Sequence, residues 1–281
     1  MKRSSYLFAF AASLCFSSVT NAWQTKMDFE NGSAGAKTVG TDAFTSTTAA
    51  VYSTAQVYSG KYSSANSISQ GEYGFGIFGG ISEFPTKVGK GGEIWVRLRA
   101  YFPTGFDFTA NPWLKFIRIH TQTPSGSNIG YDDWYINISN TTNPYRFIYE
   151  GEQVWYPFAS TAQAPQLGKW ETYEMYVKLD TVPASQGGQA VVRMWKNGVL
   201  IGESKDRVTL ANADAVSNAV YIFTYWNGAA PKTQTMYLDD VVVQTDTPSA
   251  KDAAGNAFIG VGTASAVTSS NPPSAPVLQV K

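Results

Sequence analysis

Residues 190–203 read AVVRMWKNGVLIGE, and this stretch decides the fold class. Apolar and β-branched residues run up to Lys196 and resume at Val199, as in two neighbouring strands. Asn197-Gly198 between them is a preferred pair for a two-residue turn, in which both central residues need a positive φ. The stretch therefore predicts an antiparallel hairpin with strands at 190–196 and 199–203.

Alternating apolar and polar residues, the pattern of a half-buried strand, recur along most of the chain. Further strands are predicted at 92–102, 113–121, 131–139, 145–149, 170–179, 219–226 and 235–244. No run of about 12 residues has the 3.6-residue apolar period of a helix. Many strands, turn-rich joints and no crossover helices predict an all-β protein, an antiparallel β-sandwich or jelly roll.

The composition suits a secreted all-β protein. The chain has 281 residues, of which 16 are Tyr, 16 are Phe and 8 are Trp, and only 15% are charged. That length is sufficient to bury a substantial core. The formal net charge is zero, so no general attraction to nucleic acid or to an anionic membrane is expected. We expect a monomer with neither of these partners.

The N-terminus has the pattern of a signal peptide. Lys2 and Arg3 precede an apolar run at 6–19, which is too short to span a bilayer, and small residues at 20–22 offer a cleavage site. We therefore predict a signal peptide at 1–22 and a secreted protein, extracellular or periplasmic.

Cleavage there would remove Cys15, which is the single cysteine, so the mature protein would have no disulfide. The β-jelly-roll domain is predicted at 23–245. Beyond it Pro, Ala, Ser and Gly dominate, which indicates a C-terminal extension or tail at 246–281 that contains an apolar patch at 257–261.

Three predicted strands share an unusual second face. Side chains alternate along a strand, so the residues opposite the apolar face are Trp95, Arg97, Arg99 and Tyr101, then Phe116, Arg118 and His120, and then Tyr131, Asp133, Tyr135 and Asn137. Solvated sheet faces usually carry Lys, Glu, Thr and Ser, whereas Arg with Tyr and Trp is typical of binding surfaces. If the three strands are neighbours in one sheet, this face is a cationic, aromatic-lined groove. An ordinary solvated face remains the alternative.

The ligand that such a groove favours is an acidic polysaccharide. Arginine binds carboxylates and sulfates through two parallel hydrogen bonds. Aromatic rings stack on the flat apolar faces of sugars. Nucleic acid is the competing anion, and the zero net charge argues against it.

Short motifs resemble the concanavalin A-like jelly-roll polysaccharide lyases, which include alginate, glucuronan and heparin lyases. The alginate-lyase type has an Arg-x-Glu-x-Arg strand and a Gln-Ile/Val-His strand in its groove. Arg97 and Arg99 in "RLR" resemble a shortened form of the first. Arg118 and His120 in "RIH" resemble the second, with Arg in place of Gln. The hairpin at 192–203 resembles concanavalin A-like domains generally, so it bears on the fold.

The resemblance covers residues 90–244 and implies a concanavalin A-like sandwich that cleaves a uronate-containing polysaccharide by β-elimination. Such a reaction needs a group that neutralises the uronate carboxylate, a base for the C5 proton and an acid for the leaving oxygen. We predict catalytic roles for His120, Arg118, Tyr135 and Tyr131, and substrate-binding roles for Arg97, Arg99, Trp95, Tyr101 and Tyr149. His120, with an ordinary pKa near ~6.5, is a candidate base, and a tyrosine could be base or acid. No metal is required for this chemistry.

The same residues bear on two other functions. A retaining glycosidase needs paired carboxylates on one face, and Glu171 and Glu174 should point to opposite faces of their strand. We therefore disfavour hydrolysis. A non-catalytic, lectin-like carbohydrate-binding module would use the same groove without His120 chemistry, and the sequence leaves this alternative open.

A structural calcium ion is also predicted. The segments MDFENG at 27–32 and YLDDVVV at 237–243 resemble paired segments that hold Ca²⁺ in sandwich domains. Glu30 and Asp240 would supply the carboxylate oxygens, which are the ligand atoms that Ca²⁺ prefers.

Overall fold

A computed structural model describes residues 22–44, 50–74, 79–108, 114–136, 144–151, 154–157 and 164–262. Its strands are β1 Gln24–Met27, β2 Ala50–Ser53, β3 Ser63–Ile68, β4 Gly80–Gly89, β5 Glu93–Tyr101, β6 Leu114–Gln122, β7 Asn128–Ile136, β8 Tyr145–Tyr149, β9 Val154–Pro157, β10 Trp170–Lys178, β11 Val191–Lys196, β12 Val199–Ser204, β13 Val216–Trp226 and β14 Gln234–Gln244. Two short 3₁₀ helices occupy Gly40–Asp42 and Ala184–Gln186.

The strands form two antiparallel sheets. The eight-stranded sheet has the order β12-β11-β10-β5-β14-β3-β2, with β1 paired to β14, and the six-stranded sheet has the order β4-β13-β6-β7-β8-β9. Strands that are consecutive in the chain, such as β5 and β6, lie in different sheets. This is the predicted all-β antiparallel jelly roll, and the fold-class prediction is confirmed.

The core lies between the two sheets and is built from the apolar positions of alternating strands. Val96 and Leu98 of β5 face Ile117 and Ile119 of β6 in one continuous cluster, and all four are fully buried. Burying one such side chain contributes about 1.5–3 kcal/mol. A core of this size explains how a chain can be stable with no disulfide in the described residues.

The hairpin that decides the fold class forms as predicted. β11 pairs antiparallel with β12, and Asn197 and Gly198 have φ values of 50° and 80°. Both values are positive, as the favoured two-residue hairpin turn requires.

Phe116 contradicts the predicted alternation. It was expected on the face opposite the core, but it is fully buried, and its ring lies 4.8 Å from that of Tyr173 in the opposite sheet. The cause is an irregularity between Lys115 and Ile117 in the pairing of β6 with β7, which inserts an extra residue and reverses the alternation before it. Lys115 consequently takes the outer position that was assigned to Phe116.

The first part of the predicted C-terminal extension packs on the outer face of the eight-stranded sheet. The backbone N–H groups of Ile259 and Gly260 donate to the Glu174 carboxylate at 2.5 and 2.9 Å. Phe258 contacts Trp195 with ring centroids 5.9 Å apart. Residues 246–262, here called the C-terminal strap, are therefore part of the folded domain. The rest of the predicted extension, 263–281, and the predicted signal peptide, apart from Ala22, lie outside the described residues.

Within the described ranges, no helix has both the length and the apolar character needed to cross a bilayer.

Candidate functional site

The outer face of the six-stranded sheet brings four predicted residues together. β6 pairs with β7 so that His120 lies opposite Tyr131, and Arg118 lies opposite Asp133. Tyr135, two residues further along β7, lies opposite Lys115 on the same face. The expected alternation in these two strands thus places all four predicted catalytic side chains on one surface.

The expectation that a third strand shares this surface is wrong. β5 belongs to the eight-stranded sheet, so Trp95, Arg97, Arg99 and Tyr101 lie on the outer face of the opposite layer. The physical reason is the core itself. The apolar faces of β5 and β6 meet across it, so their polar faces must point away from one another.

The C-terminal strap covers part of that other face. Trp95 is 2% exposed and Arg99 is 4% exposed. The Trp95 indole N–H donates to the Ala257 carbonyl at 3.3 Å, and Arg99 donates to the Val261 carbonyl. These side chains therefore cannot bind the same stretch of substrate as His120.

Tyr149 also lies off the candidate site. It pairs with Asp132 of β7, whose side chain points into the sandwich, and Tyr149 is buried in the main core. Arg146, opposite Tyr135, takes the outer position on that strand. The predicted substrate-binding position of Tyr149 is wrong because its place in the alternation of β8 turns it inward. Asn137 and Trp113 lie outside the described residues.

His120 is enclosed by two asparagines and two tyrosine rings. Its Nδ1 lies 2.5 Å from Asn218 Oδ1 and its Nε2 lies 3.1 Å from Asn128 Oδ1. The ring centroids of Tyr131 and Tyr221 are 4.8 and 5.4 Å away. Burial lowers the pKa of His120, and the nearby Arg118 adds to this, against the asparagine contacts, which raise it. A neutral imidazole has one N–H, so one asparagine must present its NH₂ group to the other ring nitrogen.

Arg118 is a buried cation beneath Tyr131. Its Nε donates to Asp133 Oδ1 at 2.8 Å and its Nη2 donates to Glu150 Oε1 at 3.0 Å. The guanidinium lies 3.7 Å from the centre of the Tyr131 ring. Burial opposes its charge, but the two carboxylates outweigh burial and raise the pKa of Arg118. The site therefore contains a permanent positive charge whose field is partly compensated.

Lys115 and Glu150 complete this charge network, and sequence reasoning missed both. The Lys115 ammonium pairs with Glu150 and lies 3.8 Å from Asp133 Oδ2. Lys115 was assigned to no face because nothing in the residue pattern signals the irregularity in β6. Glu150 follows β8 directly, and a single acid after a strand is no signal for a site.

The two acids of the network differ in protonation. Burial, with the neighbouring Glu150 charge, raises the pKa of Asp133 to about 7 against the opposing pull of Arg118. Burial also acts on Glu150, but its hydrogen bond with Asp133 and the charges of Arg118 and Lys115 lower its pKa to about 2. Glu150 is thus the acid of the pair that stays ionised.

The tyrosines at the site are not equivalent. Tyr135 is 3% exposed and its hydroxyl donates to Glu150 Oε1 at 3.4 Å, below the surface. Tyr131 is half-buried, contacts both the Arg118 guanidinium and the His120 ring, and packs edge-on against Tyr221 at 5.4 Å. Burial raises the pKa of Tyr131 although Arg118 opposes the shift, so its phenol carries a proton that it can donate.

Tyr221 is a further residue that sequence reasoning missed. It lies on β13 directly opposite Arg118. Its strand was predicted, and only the pairing of β13 with β6, about 100 residues apart in the chain, could have placed it at the site.

The predicted calcium ligands are engaged by donors from the protein. Glu30 Oε1 accepts the backbone N–H groups of Lys61 and Tyr62 at 2.8 and 3.0 Å. Asp240 accepts the Ser59 hydroxyl at 3.1 Å and lies 3.5 Å from Arg99 Nε. A Ca²⁺ ion needs six to eight oxygen ligands. In the described part of the chain no three acidic, His or Cys side chains are grouped as a metal site. The calcium site stays a prediction.

The predicted separation of the two β10 glutamates is observed. Glu171 lies opposite Ala100 on the core side, whereas Glu174 lies opposite Arg97 on the outer side beneath the C-terminal strap. These two acids therefore do not form a paired-carboxylate site of the glycosidase kind.

Comparison with solved structures relates the fold to known proteins, whereas neither a family model nor a curated protein sequence matches the chain. Alginate lyase Aly36B is 15% identical with a TM-score of 0.53, covering 78% of this chain and 96% of its own. The endo-β-1,4-glucuronan lyase of the fungus Trichoderma reesei is 12% identical with a TM-score of 0.54, covering 79% and 94%. Alginate lyase vAL-1 from Chlorella virus is 14% identical with a TM-score of 0.52, covering 70% and 89%. The chain therefore has a jelly-roll fold like that of these polysaccharide lyases, as its short motifs predicted.

Proposed function

We propose that this protein is a polysaccharide lyase that cleaves a uronate-containing acidic polysaccharide by β-elimination. One observation carries the proposal. On the outer face of the six-stranded sheet, His120, Tyr131 and Tyr221 are in mutual ring contact beside the buried Arg118. A neutral imidazole, a protonated phenol and a fixed cation are thereby gathered at one place, and these are the three kinds of group that the reaction requires.

In this proposal each group has a separate role. Arg118 provides the positive field that stabilises the negative charge developing on the uronate. His120 takes the proton from C5, and the electron pair of that C–H bond forms the double bond between C4 and C5. The bond from C4 to the glycosidic oxygen breaks, and that oxygen receives the proton of Tyr131. His120 can accept the proton only when one asparagine has left its ring nitrogen, which we expect substrate binding to cause.

Tyr135 fits a positioning role better than proton transfer. Its hydroxyl is bonded to Glu150 below the surface, and burial raises its pKa. It holds the carboxylate that pairs with Lys115 and Arg118. We therefore assign the acid to Tyr131, not Tyr135.

The comparisons favour a uronate polymer as substrate. Two of the matched structures are Aly36B mutants in complex with an alginate trisaccharide and an alginate tetrasaccharide. A third match is a glucuronan lyase. The signal-peptide pattern at 1–22 supports export of the protein to where such polymers occur.

A non-catalytic glycan-binding module is the second candidate, and one observation favours it. Both ring nitrogens of His120 are bonded to asparagines, and Arg118 is paired with two carboxylates. In this arrangement neither ring nitrogen of His120 is free to accept the proton from C5. Such a module would bind the same polymer and release no product.

The test is ultraviolet absorbance of unsaturated uronate, followed with purified protein on alginate, glucuronan, ulvan, heparin-type and pectic polymers. We expect absorbance to rise with one polymer. Tyr131→Phe should lower the rate about 100-fold or more, because general acid catalysis is worth about 10²–10⁴. Tyr176→Phe, which removes a phenol from the opposite sheet, is the matched control and should leave the rate unchanged. A protein that is retained by one polymer yet yields no product on any would overturn the lyase and support the binding module.

A further inference from the structure

A row of three aromatic side chains crosses the outer face of the eight-stranded sheet, on the opposite side of the sandwich from His120. Trp170 of β10, Tyr101 of β5 and Tyr237 of β14 are direct partners in the register of three adjacent strands. Their ring centroids lie 5.5 Å apart from Trp170 to Tyr101 and 6.1 Å apart from Tyr101 to Tyr237. We call these three residues the aromatic row.

A fourth ring extends the row at one end. Tyr58, in the segment between β2 and β3, has its ring centroid 6.0 Å from that of Trp170. The Arg99 guanidinium lies 3.9 Å from the centre of the Tyr58 ring on the side of the C-terminal strap. The aromatic row therefore ends, on the Tyr58 side, next to the buried Arg99.

The aromatic row differs from the other aromatic residues on the same face. Trp95 and Trp195 are 2% and 1% exposed, and the C-terminal strap packs on them through residues 257–259. The three members of the row are only half-buried in the described part of the chain. Large half-exposed aromatic side chains in a row are typical of a binding surface, since an aromatic side chain with only a structural role is usually covered.

Hydrogen-bonding groups and cations border the row. Thr235, two residues from Tyr237 and therefore on the same face, shares a 2.7 Å hydrogen bond with Ser67 of the neighbouring strand, and both hydroxyls are exposed. A cavity of about 200 Å³ adjoins Thr235 and is bordered by Lys232. Lys169 is exposed immediately before Trp170.

We propose that the aromatic row is a second glycan-binding surface, which holds a uronate-bearing polysaccharide without cleaving it. The rings offer flat apolar faces for pyranose rings, and the serine and threonine hydroxyls can hydrogen-bond to sugar hydroxyls. Lys169 and Lys232 supply positive charge for the carboxylates of the polymer. The row anchors the protein to the polymer on the side away from His120. Only the choice of an acidic polymer rests on the proposed function.

The test is retention in native gels containing alginate, run in the cold to suppress turnover, with hydroxyethyl cellulose as the neutral polymer. We expect Trp170→Ala/Tyr237→Ala to raise the Kd for alginate about tenfold, as for aromatic side chains at the centre of an interface. Leu167→Ala, which truncates an exposed apolar side chain near the row, is the matched control and should have no effect. Retention that is unchanged in the double variant would overturn the proposal. Equal retention by the neutral polymer would overturn the acidic ligand.

A second variant controls for the possibility that the first variant misfolds. Lys169→Glu/Lys232→Glu reverses two exposed charges and should keep the melting temperature of the unaltered protein while weakening alginate retention several-fold. If alginate retention is unaffected by this variant, the proposal is overturned.

Retention and product formation are measured separately, so the two proposals can fail independently. Tyr221→Ala, on the six-stranded sheet, reports on the other face. Loss of retention only in Tyr221→Ala would overturn the second surface and leave the lyase standing. Loss of retention in the row variants without any unsaturated product would support the second surface and overturn the lyase.

Discussion

At the scale of single residues, Asp132 is the side chain whose environment is least suited to its chemistry. It is fully buried on the core side of β7, and neither carboxylate oxygen has a hydrogen-bond partner among the described residues. Burial, with a smaller contribution from the adjacent Asp133, raises its pKa well above the ordinary value. The side chain is therefore protonated in the folded protein at pH values where it is ionised in the unfolded chain.

This raised pKa predicts a loss of stability as pH rises. The contribution of Asp132 to the free energy of unfolding is fully present below the pKa that this residue has in the unfolded chain, about 3.9. Above that pH the contribution decreases by roughly 1.4 kcal/mol per pH unit until the pKa of the folded state is reached. Asp132→Asn has no ionisable group at this position. Its free energy of unfolding should therefore increase relative to that of the unaltered protein as the pH rises from 5 to 8. Denaturant unfolding at both pH values measures this, with the exposed Asp214→Asn as control. A difference that does not change with pH would contradict the assignment.

The pKa of His120 predicts how the rate of cleavage falls at low pH. A base must be unprotonated, so the rate should fall as pH decreases through the pKa of His120. Burial, aided by Arg118, lowers that pKa, so the midpoint should lie below the ordinary value of about 6.5. The measurement is kcat/KM from pH 4 to pH 8, with binding followed in parallel. A midpoint above 7 would exclude His120 as the titrating base.

At the scale of elements, the irregularity in β6 decides the charge of the site. It turns Lys115 to the same face as Arg118, although the two are three positions apart in the strand and a regular strand would place them on opposite faces. Two neighbouring cations require the carboxylates of Asp133 and Glu150. One local change in backbone pairing therefore adds the second cation, Lys115, to the network.

The network predicts the effect of removing the charge of Glu150, the acid that stays ionised. Glu150→Gln should lower the free energy of unfolding by about 1–3 kcal/mol at pH 7, because Lys115 and Arg118 keep only Asp133 as partner. The pKa of Glu150 is lowered to about 2, so its contribution is present above pH ~4.3 and is lost as pH falls towards 2. Urea unfolding at several pH values tests both statements.

The control for this prediction is the same substitution in a more exposed pair. Glu203→Gln breaks the ion pair with Arg193 and should cost less than about 1 kcal/mol. Equal losses at the two positions would show that the network at the candidate site contributes nothing beyond an ordinary surface pair.

The C-terminal strap is a second element whose importance can be measured. A chain ending at residue 250 lacks Phe258 and Ile259, which pack on Trp95 and Trp195. Its melting temperature should fall by roughly 5–10 °C because this apolar contact is lost. Its tryptophan fluorescence should also shift to longer wavelength. A chain ending at residue 262 retains these contacts and should match the full chain; equal melting of both truncated chains would contradict a structural role for the strap.

At the scale of the whole molecule, the fold could be predicted because its signals are local. Alternation identifies a strand from within the strand, and Asn197-Gly198 identifies a turn from two residues. Membership of a sheet is not local. β5 pairs with β10 and β14, which are far away in the chain, so nothing near Arg97 and Arg99 indicates that they lie in the other layer from Arg118.

The same distinction explains which half of the candidate site could be predicted. β6 and β7 are consecutive strands joined by a short turn, and they pair as neighbours usually do. His120, Arg118, Tyr131 and Tyr135 follow from that pairing. Tyr221 comes from β13, about 100 residues later, and Lys115 depends on an irregularity that no residue type signals.

The proposed function requires the face bearing His120 and Tyr131 to cleave a uronate polymer by β-elimination. The most direct measurement is mass spectrometry of the oligosaccharides released from the polymer in water enriched with heavy oxygen. β-Elimination should give products with an unsaturated uronate at one end, each lighter by one water than a hydrolysis product and free of heavy oxygen at the cleaved bond. Saturated products that contain heavy oxygen would show hydrolysis and exclude β-elimination.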